Sequence, residues 1–543
     1  MATTTRILGR LLCGVATVAL IGALLPAGAM AQSTPTDYRI DAIEHQVRGM
    51  EAELRQLKAE LRRSRAEAAR SHATLRQAQA AAAQAIVSES KAMAAAAQAQ
   101  AVAAAPRPPA MPAKPAPHVV QTPGNEFGLE SADGQNSIYL TGRLQFDVGD
   151  YANYTPASKY ASVRDLNSGV NSRRARLGIT GKFLGDWEYT LIADFGGSSD
   201  TGGPSYIENA FLTYNGFKRA PLPLAFDLGY QDTPFTLDEA TSSNNIMFME
   251  RASIQTVATS IFAGDNRSAF DVRSNNDRYW AGLYVTGPTS GASHTTGEQV
   301  GSFGRFTYQL LQAPDYSLHL GADVGGLVKP SGSETLTLSD RPELRIDPTS
   351  ILSTGTIGTA ANPVTGAAVY GVEGAAAWRN LFLQGEFYQI DVDRRGLASN
   401  GFDGGYVEAS WTITGEHRHY SPGSGAYGGI VPFRPFQPWS QNYGLGAWEL
   451  AFRYSTVDLN SDFTAGIAPG PTSNAVGGGK QTVYAVGLNW YMNANIRFMF
   501  DYLHGDIDKQ YSVAAGGGVA GTPLGTPVGG TFDAVAMRMQ FAF

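Results

Sequence analysis

The sequence has almost no cysteine. The one cysteine among its 543 residues is Cys13, which lies in the N-terminal 31 residues. A chain without cysteine beyond that segment forms no disulfide bond and has neither thiolate metal ligands nor a thiol nucleophile. This composition excludes disulfide-rich secreted scaffolds, cysteine zinc sites and cysteine-dependent catalysis.

Long apolar runs are also scarce. After residue 31 no run reaches the roughly 18 apolar residues that a membrane-spanning helix needs. Charged residues make up only 16% of the chain, whereas Gly (62), Tyr (24) and Phe (25) are abundant, which favours an all-β protein. Without a spanning helix, an exported chain is either soluble or crosses a membrane as a β-barrel.

Residues 1–31 have the three-part layout of a secretory signal peptide. A basic start is followed by an apolar run from Leu11 to Leu25 and by the small-residue end Ala29-Met30-Ala31, which predicts export and cleavage after Ala31. The alternative is an N-terminal membrane anchor. An anchor needs about 20 apolar residues, and this run is shorter.

Residues 32–77 carry an apolar seam whose spacing alternates between four and three. Its positions are Ile43, Val47, Met50, Leu54, Leu57, Leu61, Ser64, Ala68, Ser71 and Leu75, continuing to Ala78. This heptad rhythm predicts an N-terminal α-helical coiled coil, with a single amphipathic helix as the alternative. Residues 78–123 are rich first in Ala and then in Pro, which predicts a linker that ends at a domain boundary near residue 124.

Beyond residue 124 the apolar residues recur at every second position. Sixteen such segments occur, at 138–148, 173–183, 186–195, 206–214, 222–230, 267–273, 278–286, 301–311, 316–328, 367–378, 381–392, 402–414, 445–457, 482–491, 495–505 and 531–543. Short turns such as Leu184-Gly185 alternate with long connections such as 231–266, 329–366 and 459–480. Residues 124–543 are therefore predicted to form a 16-stranded antiparallel transmembrane β-barrel, with 18 strands as the alternative.

The two faces of each segment distinguish a membrane barrel from a soluble sandwich. In the last segment Val535, Met537, Met539, Phe541 and Phe543 share one face, and Ala534, Ala536, Arg538, Gln540 and Ala542 share the other. The lumen of a barrel this wide is expected to be filled with water, so the apolar face must contact lipid. Aromatic residues near the segment ends fit the girdles at the membrane surfaces.

From about residue 138 to its end, the chain resembles the phosphate-selective porin O and P family. The resemblance rests on SRRARLGI (172–179) leading into GDWEY (185–189), PFTLDEATSS (234–243) with MER (249–251), TITGE (412–416), GAWELAFRYS (446–455) and GLNWY (487–491). It implies a homotrimer of 16-stranded barrels in the outer membrane of a Gram-negative bacterium, with arginines along the pore. It also implies that residues 231–251 fold inward, with Arg251 near the constriction. A periplasmic coiled coil is compatible with that trimer.

The period of two also predicts which charged residues face the lumen. The cations opposite the apolar face are Arg143, Arg174, Arg176, Lys182, Arg267, Arg273, Arg278, Arg305, Arg453, Arg497 and Arg538, to which the resemblance adds Arg251. A guanidinium group binds two phosphate oxygens at once and is weakly hydrated. We therefore predict a passive channel for small solutes that prefers anions such as phosphate or polyphosphate.

Acidic residues support a different hypothesis. Asp147, Asp271, Glu386, Glu449 and Asp501 are also predicted to face the lumen. The formal charge of the chain is −7; residues 1–31 hold two bases, and residues 32–123 hold 12 bases and 8 acids, so the barrel part carries −13. A general or cation-preferring porin is therefore the alternative, and a barrel-anchored enzyme or adhesin is a third hypothesis.

Motifs for other chemistry are missing. The sequence has no G-x-S-x-G, H-E-x-x-H or phosphate-loop motif, and His417 and His419 have no third metal ligand nearby in sequence. We predict that the protein is not an enzyme, that it uses no cofactor or metal, and that it binds outer-membrane lipid and small anions but no nucleic acid.

Overall fold

A computed structural model describes residues 118–121, 127–196, 206–289, 296–439, 441, 443–464, 466 and 473–543. The predicted signal peptide, the predicted coiled coil and most of the predicted linker lie outside the described residues. Within the described ranges, no helix is both long enough and apolar enough to span a membrane.

Sixteen long strands form one closed antiparallel barrel. They are β1 (Ser137–Pro156), β2 (Gly169–Phe183), β3 (Trp187–Asp194), β4 (Tyr206–Tyr214), β5 (Ala225–Thr233), β6 (Gly264–Asn275), β7 (Tyr279–Thr289), β8 (Val300–Ala313), β9 (Tyr316–Lys329), β10 (Val364–Trp378), β11 (Leu381–Arg394), β12 (Asn400–Thr412), β13 (Ala447–Ser461), β14 (Val476–Tyr491), β15 (Ile496–Asp508) and β16 (Gly530–Ala542). Each strand pairs with its neighbours in the chain, and β16 pairs with β1 to close the ring. The predicted 16-stranded barrel is confirmed.

Two short strands extend the sheet outside the closed ring. His118–Gln121 pairs with Phe127–Glu130, which in turn pairs with residues 137–140 at the start of β1. The last strand ends just short of this point, where Phe543 exchanges two backbone hydrogen bonds with Gly142 (2.9 and 3.0 Å). The short strands therefore continue the β1 edge at the end of the barrel that carries the C terminus.

The two ends of the barrel differ in the length of their connections. At the C-terminal end, turns of two to four residues join β2 to β3, β6 to β7, β8 to β9, β10 to β11 and β14 to β15. The opposite end has longer segments, among them 157–168, 234–263, 330–363 and 509–529. The segment 413–446 is an exception, because it is long and yet leaves from the short-turn end.

Side chains on the strands point alternately outward and inward. In β16, Val535, Met537 and Phe541 are exposed by 45%, 37% and 40%, whereas Ala534 and Arg538 are completely buried. The exposed row is apolar and the buried row is partly charged, which is the reverse of a soluble protein. The face assignment made from sequence for this strand is therefore confirmed.

Part of the lumen is packed with protein. Phe235, in the segment between β5 and β6, lies with its ring 5.3 Å from that of Phe303 and 5.8 Å from that of Tyr388. Ile254 and Val257 of the same segment are fully buried. The inserted segment brings its own apolar side chains, and inward-facing aromatic residues of the wall receive them.

Long segments at the other end contact one another across the mouth. Lys509 donates from Nζ to the carbonyl oxygens of Ile351 and Ser353, both at 3.0 Å, and burial lowers the pKa of Lys509 to about 8. Asp347 accepts hydrogen bonds from the backbone and side-chain nitrogens of Asn167, both at 2.7 Å. These contacts hold three separate segments together over the opening.

Gly229 on β5 provides a test of how tightly the strands pack. Its φ is +144°, and a Cβ atom there would lie 2.2 Å from the carbonyl oxygen of Ala210 on β4. We expect Gly229→Ala to lower the free energy of unfolding by about 1–3 kcal/mol, the usual cost of such strain. The measurement is the urea midpoint of the heat-modifiable gel band. Gly423→Ala is the matched control, because nothing lies within 4 Å of its added Cβ; equal midpoints for both variants would contradict the strain argument.

Candidate functional site in the constricted lumen

The segment between β5 and β6, residues 234–263, crosses the lumen and is called the constriction loop here. It contains the short helix α1 (Leu237–Ala240) and the helix α2 (Ser253–Ser260). On one side, the backbone nitrogen of Leu237 donates to Glu386 on β11 (2.6 Å). Further along, the backbone nitrogen of Met249 donates to Asp501 on β15 (2.7 Å). The inward fold implied by the family resemblance matches this geometry.

Helix α1 forms at the wall because its free backbone donors find acceptors there. Thr236 caps the helix by accepting from the backbone nitrogen of Glu239 (2.9 Å). The carboxylate of Glu386 accepts from the backbone nitrogens of Leu237 and Asp238 (2.6 and 3.1 Å). The positive N-terminal end of the helix also stabilises a carboxylate at this position. Glu386 therefore anchors the loop at its start.

A second segment, residues 413–446, enters the lumen from the short-turn end and is called the inner turn here. Its Arg418 forms an ion pair with Glu449 on β13 (2.8 Å) and donates to the carbonyl oxygen of Asn245 in the constriction loop (2.6 Å). Arg305 on β8 donates to the carbonyl oxygen of Gly425 in the inner turn (2.7 Å). The two insertions therefore contact each other and narrow the passage together.

Six of the twelve predicted lumen cations form ion pairs with carboxylates. These are Arg176 with Asp194 (3.0 Å) and Glu208, Arg251 with Glu239 (3.4 Å), Arg273 with Asp227 (2.7 Å), Arg305 with Glu373 (2.9 Å), Arg453 with Glu343 (2.6 Å) and Arg538 with Asp147 (2.7 Å). Most of the carboxylates belong to the wall or to an inserted segment. These arginines are charge-compensated: most of the pairs join strands of the wall, and Arg453 fastens the segment 330–363 to the barrel through Glu343.

Arg143, Arg174, Arg267 and Arg497 differ, because within the described ranges they form no ion pair with a carboxylate. Arg143 donates to the hydroxyl groups of Ser242 and Ser243. Arg497 donates from Nη1 to the carbonyl oxygen of Asn244 (3.2 Å), while its Nε and Nη2 atoms have no hydrogen-bond partner. Arg174 donates to Gln145 (2.8 Å), and Arg267 donates to the carbonyl oxygens of Ser260 and Ala263 (2.7 and 3.0 Å). None of these four guanidinium groups has a described carboxylate within ion-pair distance.

The remaining two predicted cations lie away from the constriction. Lys182 is an exposed residue near the end of β2, and Arg278 is exposed in the turn that precedes β7. The guanidinium group of Arg278 reaches the carbonyl oxygen of Gln309 (3.4 Å). Both residues belong to the rim at the short-turn end.

An open cavity of ≈ 430 Å³ remains beside the seam between β1 and β16. Four predicted cations from different elements line it: Arg143 (β1), Arg176 (β2), Arg251 (constriction loop) and Arg497 (β15). Residues 242–245 of the constriction loop and three carboxylates, Asp232, Glu239 and Asp265, complete the lining. The structure thus brings together cations that are far apart in sequence.

Sequence reasoning missed Arg173, which also lies in the lumen. A β-bulge causes this, because Gln145 pairs with Arg174 and Phe146 pairs with Ser172, so that the register shifts at Arg173. Its guanidinium group forms an ion pair with Glu250 of the constriction loop (2.8 Å). The two consecutive arginines could have indicated this bulge. In a regular strand one of two adjacent residues faces lipid, which disfavours a charge, so a bulge is needed to turn both inward.

Arg345 and Arg418 were missed for another reason. Arg345, in the segment 330–363, forms an ion pair with Asp340 (2.8 Å) and lies 3.9 Å from Glu250. Arg418 lies in the inner turn. The alternation of apolar and polar residues predicts side-chain direction only within strands. It could therefore not predict that these two arginines enter the lumen.

Comparison with known proteins gives consistent matches. A family model described as phosphate-selective porin O and P matches residues 138–543. Porin O of Pseudomonas aeruginosa is 25% identical over 415 residues, covering 72% of this chain and 87% of that protein. An uncharacterized protein of Caulobacter vibrioides is 26% identical over 411 residues, covering 73% of each.

Two solved structures of outer-membrane proteins align with this chain at low identity. An anion-selective porin from Comamonas acidovorans has a TM-score of 0.45 at 12% identity, covering 75% of this chain and all (100%) of that one. The outer membrane channel DcaP of Acinetobacter baumannii has a TM-score of 0.42 at 12% identity, covering 76% and 99%.

The anchor at Glu386 generates a prediction about channel behaviour. Glu386→Gln leaves one oxygen to accept from Leu237 and Asp238, so we expect the start of the constriction loop to move more and the single-channel current to fluctuate several times more often. Single-channel recording in planar bilayers measures this. Glu334→Gln is the matched control, because its side chain is exposed in the segment 330–363. A current trace as steady as that of the control would show that Glu386 does not hold the loop.

Proposed function

The chain belongs to the phosphate-selective porin O and P family, and we propose that its barrel is a passive channel that prefers small anions, phosphate among them. Members of this family are outer-membrane porins of Gram-negative bacteria, so the apolar outer face of the strands contacts lipid and the constricted lumen conducts solutes. The family prediction made from the sequence motifs is confirmed over residues 138–543.

The unpaired guanidinium groups at the open cavity carry the proposal for anion preference. In a narrow aqueous passage, the nearest charges set the potential that an ion meets. Arginines that are paired with carboxylates contribute little to it, whereas Arg143 and Arg497 keep their full positive charge beside the passage. The charge of −13 on the barrel part, residues 124–543, is therefore a poor guide to selectivity.

The donor atoms at these arginines also suit an oxyanion. Arg497 has Nε and Nη2 free, and Arg143 has Nε free. The hydroxyl groups of Ser242 and Ser243 lie beside Arg143. Free guanidinium donors next to hydroxyl groups can replace part of the hydration shell of a phosphate ion as it passes.

We further propose a homotrimer with a periplasmic coiled coil over residues 32–77. The support is the heptad seam in that stretch together with the family resemblance. A self-associating coil in the same chain as the barrel would hold three subunits in one complex.

A cation-preferring porin is the second candidate function. Asp232, Glu239 and Asp265 line the same cavity as the arginines, and three carboxylates beside an ion path attract cations. The two candidates differ in the sign of the potential that the purified protein generates in a salt gradient.

Reversal potentials in planar bilayers test the choice. In a KCl gradient we expect the zero-current potential to have the sign of chloride permeation, and added phosphate to reduce the chloride current. Arg497→Gln and Arg143→Gln should each lower the ratio of chloride to potassium permeability several-fold, because each removes an uncompensated charge.

Arg278→Gln is the matched control for these two variants. This arginine lies in an exposed turn, so the permeability ratio should change little when its charge is removed. A wild-type potential of the potassium sign would reject anion preference. If all three variants have the same ratio of chloride to potassium permeability, Arg143 and Arg497 do not determine anion preference.

A further inference from the structure

The cavity in the lumen is lined by charged groups of both signs. Its unpaired cations are Arg143 and Arg497, and its acidic residues are Asp232, Glu239 and Asp265. A site for a simple anion needs only the cations. The presence of both kinds of group in one cavity of ≈ 430 Å³ calls for a ligand that carries both charges.

The cationic part includes guanidinium donors that no described residue uses. Arg497 is 2% exposed, yet its Nε and Nη2 atoms have no hydrogen-bond partner among the described residues. Its guanidinium group stacks over the ring of Tyr491, at 4.7 Å from the centroid, which fixes its orientation. A buried donor left unpaired is costly, so a ligand that accepts from it is favoured.

The acidic part is a group of close carboxylates, of which Glu208 pairs with Arg176 and Glu239 pairs with Arg251. Glu208, Asp232 and Asp265 have carboxylate oxygens within 4.8 Å of one another. Asp265 forms neither an ion pair nor a hydrogen bond to a donor in the part of the chain that the structure describes, and it lies within hydrogen-bonding reach of another carboxylate, that of Glu239. Carboxylates this close repel each other unless a positive group lies among them.

Glu239 gives an independent sign that a donor is missing. Its side chain is 4% exposed and lines the cavity. Oxygen Oε2 is used by Gln255 and Arg251, whereas Oε1 has no hydrogen-bond partner. A buried carboxylate oxygen facing Asp265 is the acceptor that an ammonium group requires, since ammonium supplies three donors.

We propose that this cavity binds small amphoteric solutes, which carry an anionic group and an ammonium group, as aminophosphonates and amino acids do. The anionic group lies against Arg143 and Arg497, and the ammonium group lies against Asp265, Asp232 and Glu239. The inference rests on the proposed anion channel for its cationic part and adds the acidic part as a determinant of specificity. Arg176 and Arg251 beside the carboxylates favour a singly charged ammonium group over a divalent metal ion, which they would repel more strongly.

A matched pair of probes tests the inference on the purified porin in planar bilayers. Both 2-aminoethylphosphonate and ethylphosphonate carry the phosphonate group, and only the former carries an ammonium group. We expect 2-aminoethylphosphonate to block half of the chloride current at a roughly tenfold lower concentration, as one added charge-assisted contact would give.

Variants then separate the two parts of the cavity. Asp265→Asn should remove the preference for 2-aminoethylphosphonate, whereas block by ethylphosphonate should not weaken, because the substitution removes a negative charge that repels the phosphonate group. Asp277→Asn, in an exposed turn, is the matched control and should keep the preference. Arg497→Gln should weaken block by both probes, because they share the phosphonate group.

Several outcomes would overturn the inference. Equal block by the two probes, or a preference that persists in Asp265→Asn, would reject the acidic part. If millimolar Mg²⁺ abolishes the preference and EDTA restores it, the carboxylates form a metal site and the inference is wrong. The proposed anion channel fails through a different result, a zero-current potential of the potassium sign, so the two failures are distinguishable.

Discussion

A polypeptide segment that crosses the lumen must find protein partners for every polar group that it withdraws from water. The constriction loop meets this requirement through charged residues of the wall. Glu386 accepts from the backbone at its start, Asp501 accepts from Met249, and Arg538 binds Glu250 (2.7 Å). The packing of the aromatic cluster around Phe235 and the position of the cavity both depend on these anchors, because they fix where the loop runs.

The same requirement divides the lumen arginines into two kinds. Most of them form ion pairs that stabilise the fold. Examples are Arg453 with Glu343 (2.6 Å) and Arg305 with Glu373 (2.9 Å). Only arginines that meet hydroxyl groups and backbone carbonyls, such as Arg143 and Arg497, retain a charge that a passing ion can feel. Selectivity in this barrel is therefore decided by pairing, and the number of inward-facing arginines says little about it.

How much of the structure could be predicted from the sequence depends on the physical constraint that acts on each element. A strand between lipid and lumen must alternate, so strand number and the inward direction of residues such as Arg538 were readable from the pattern. The pattern did not reveal the bulge at Arg173, because a bulge breaks the period of two. It did not reveal the entry of the inner turn with Arg418 either, because that segment is not a strand. Pairing partners such as Glu343 come from segments distant in sequence, and no local pattern encodes which arginine they will reach.

This division also explains why the net charge of the barrel does not predict its ion selectivity. Many acidic residues of the barrel neutralise an arginine within the lumen, and others lie on exposed loops far from the passage. What remains beside the open cavity are guanidinium donors without a carboxylate partner among the described residues, as at Arg497, and carboxylates such as Asp265. Different strands of the wall and the constriction loop bring these groups to the same cavity. A solute with matching charges can then satisfy both, whereas a simple anion satisfies only one.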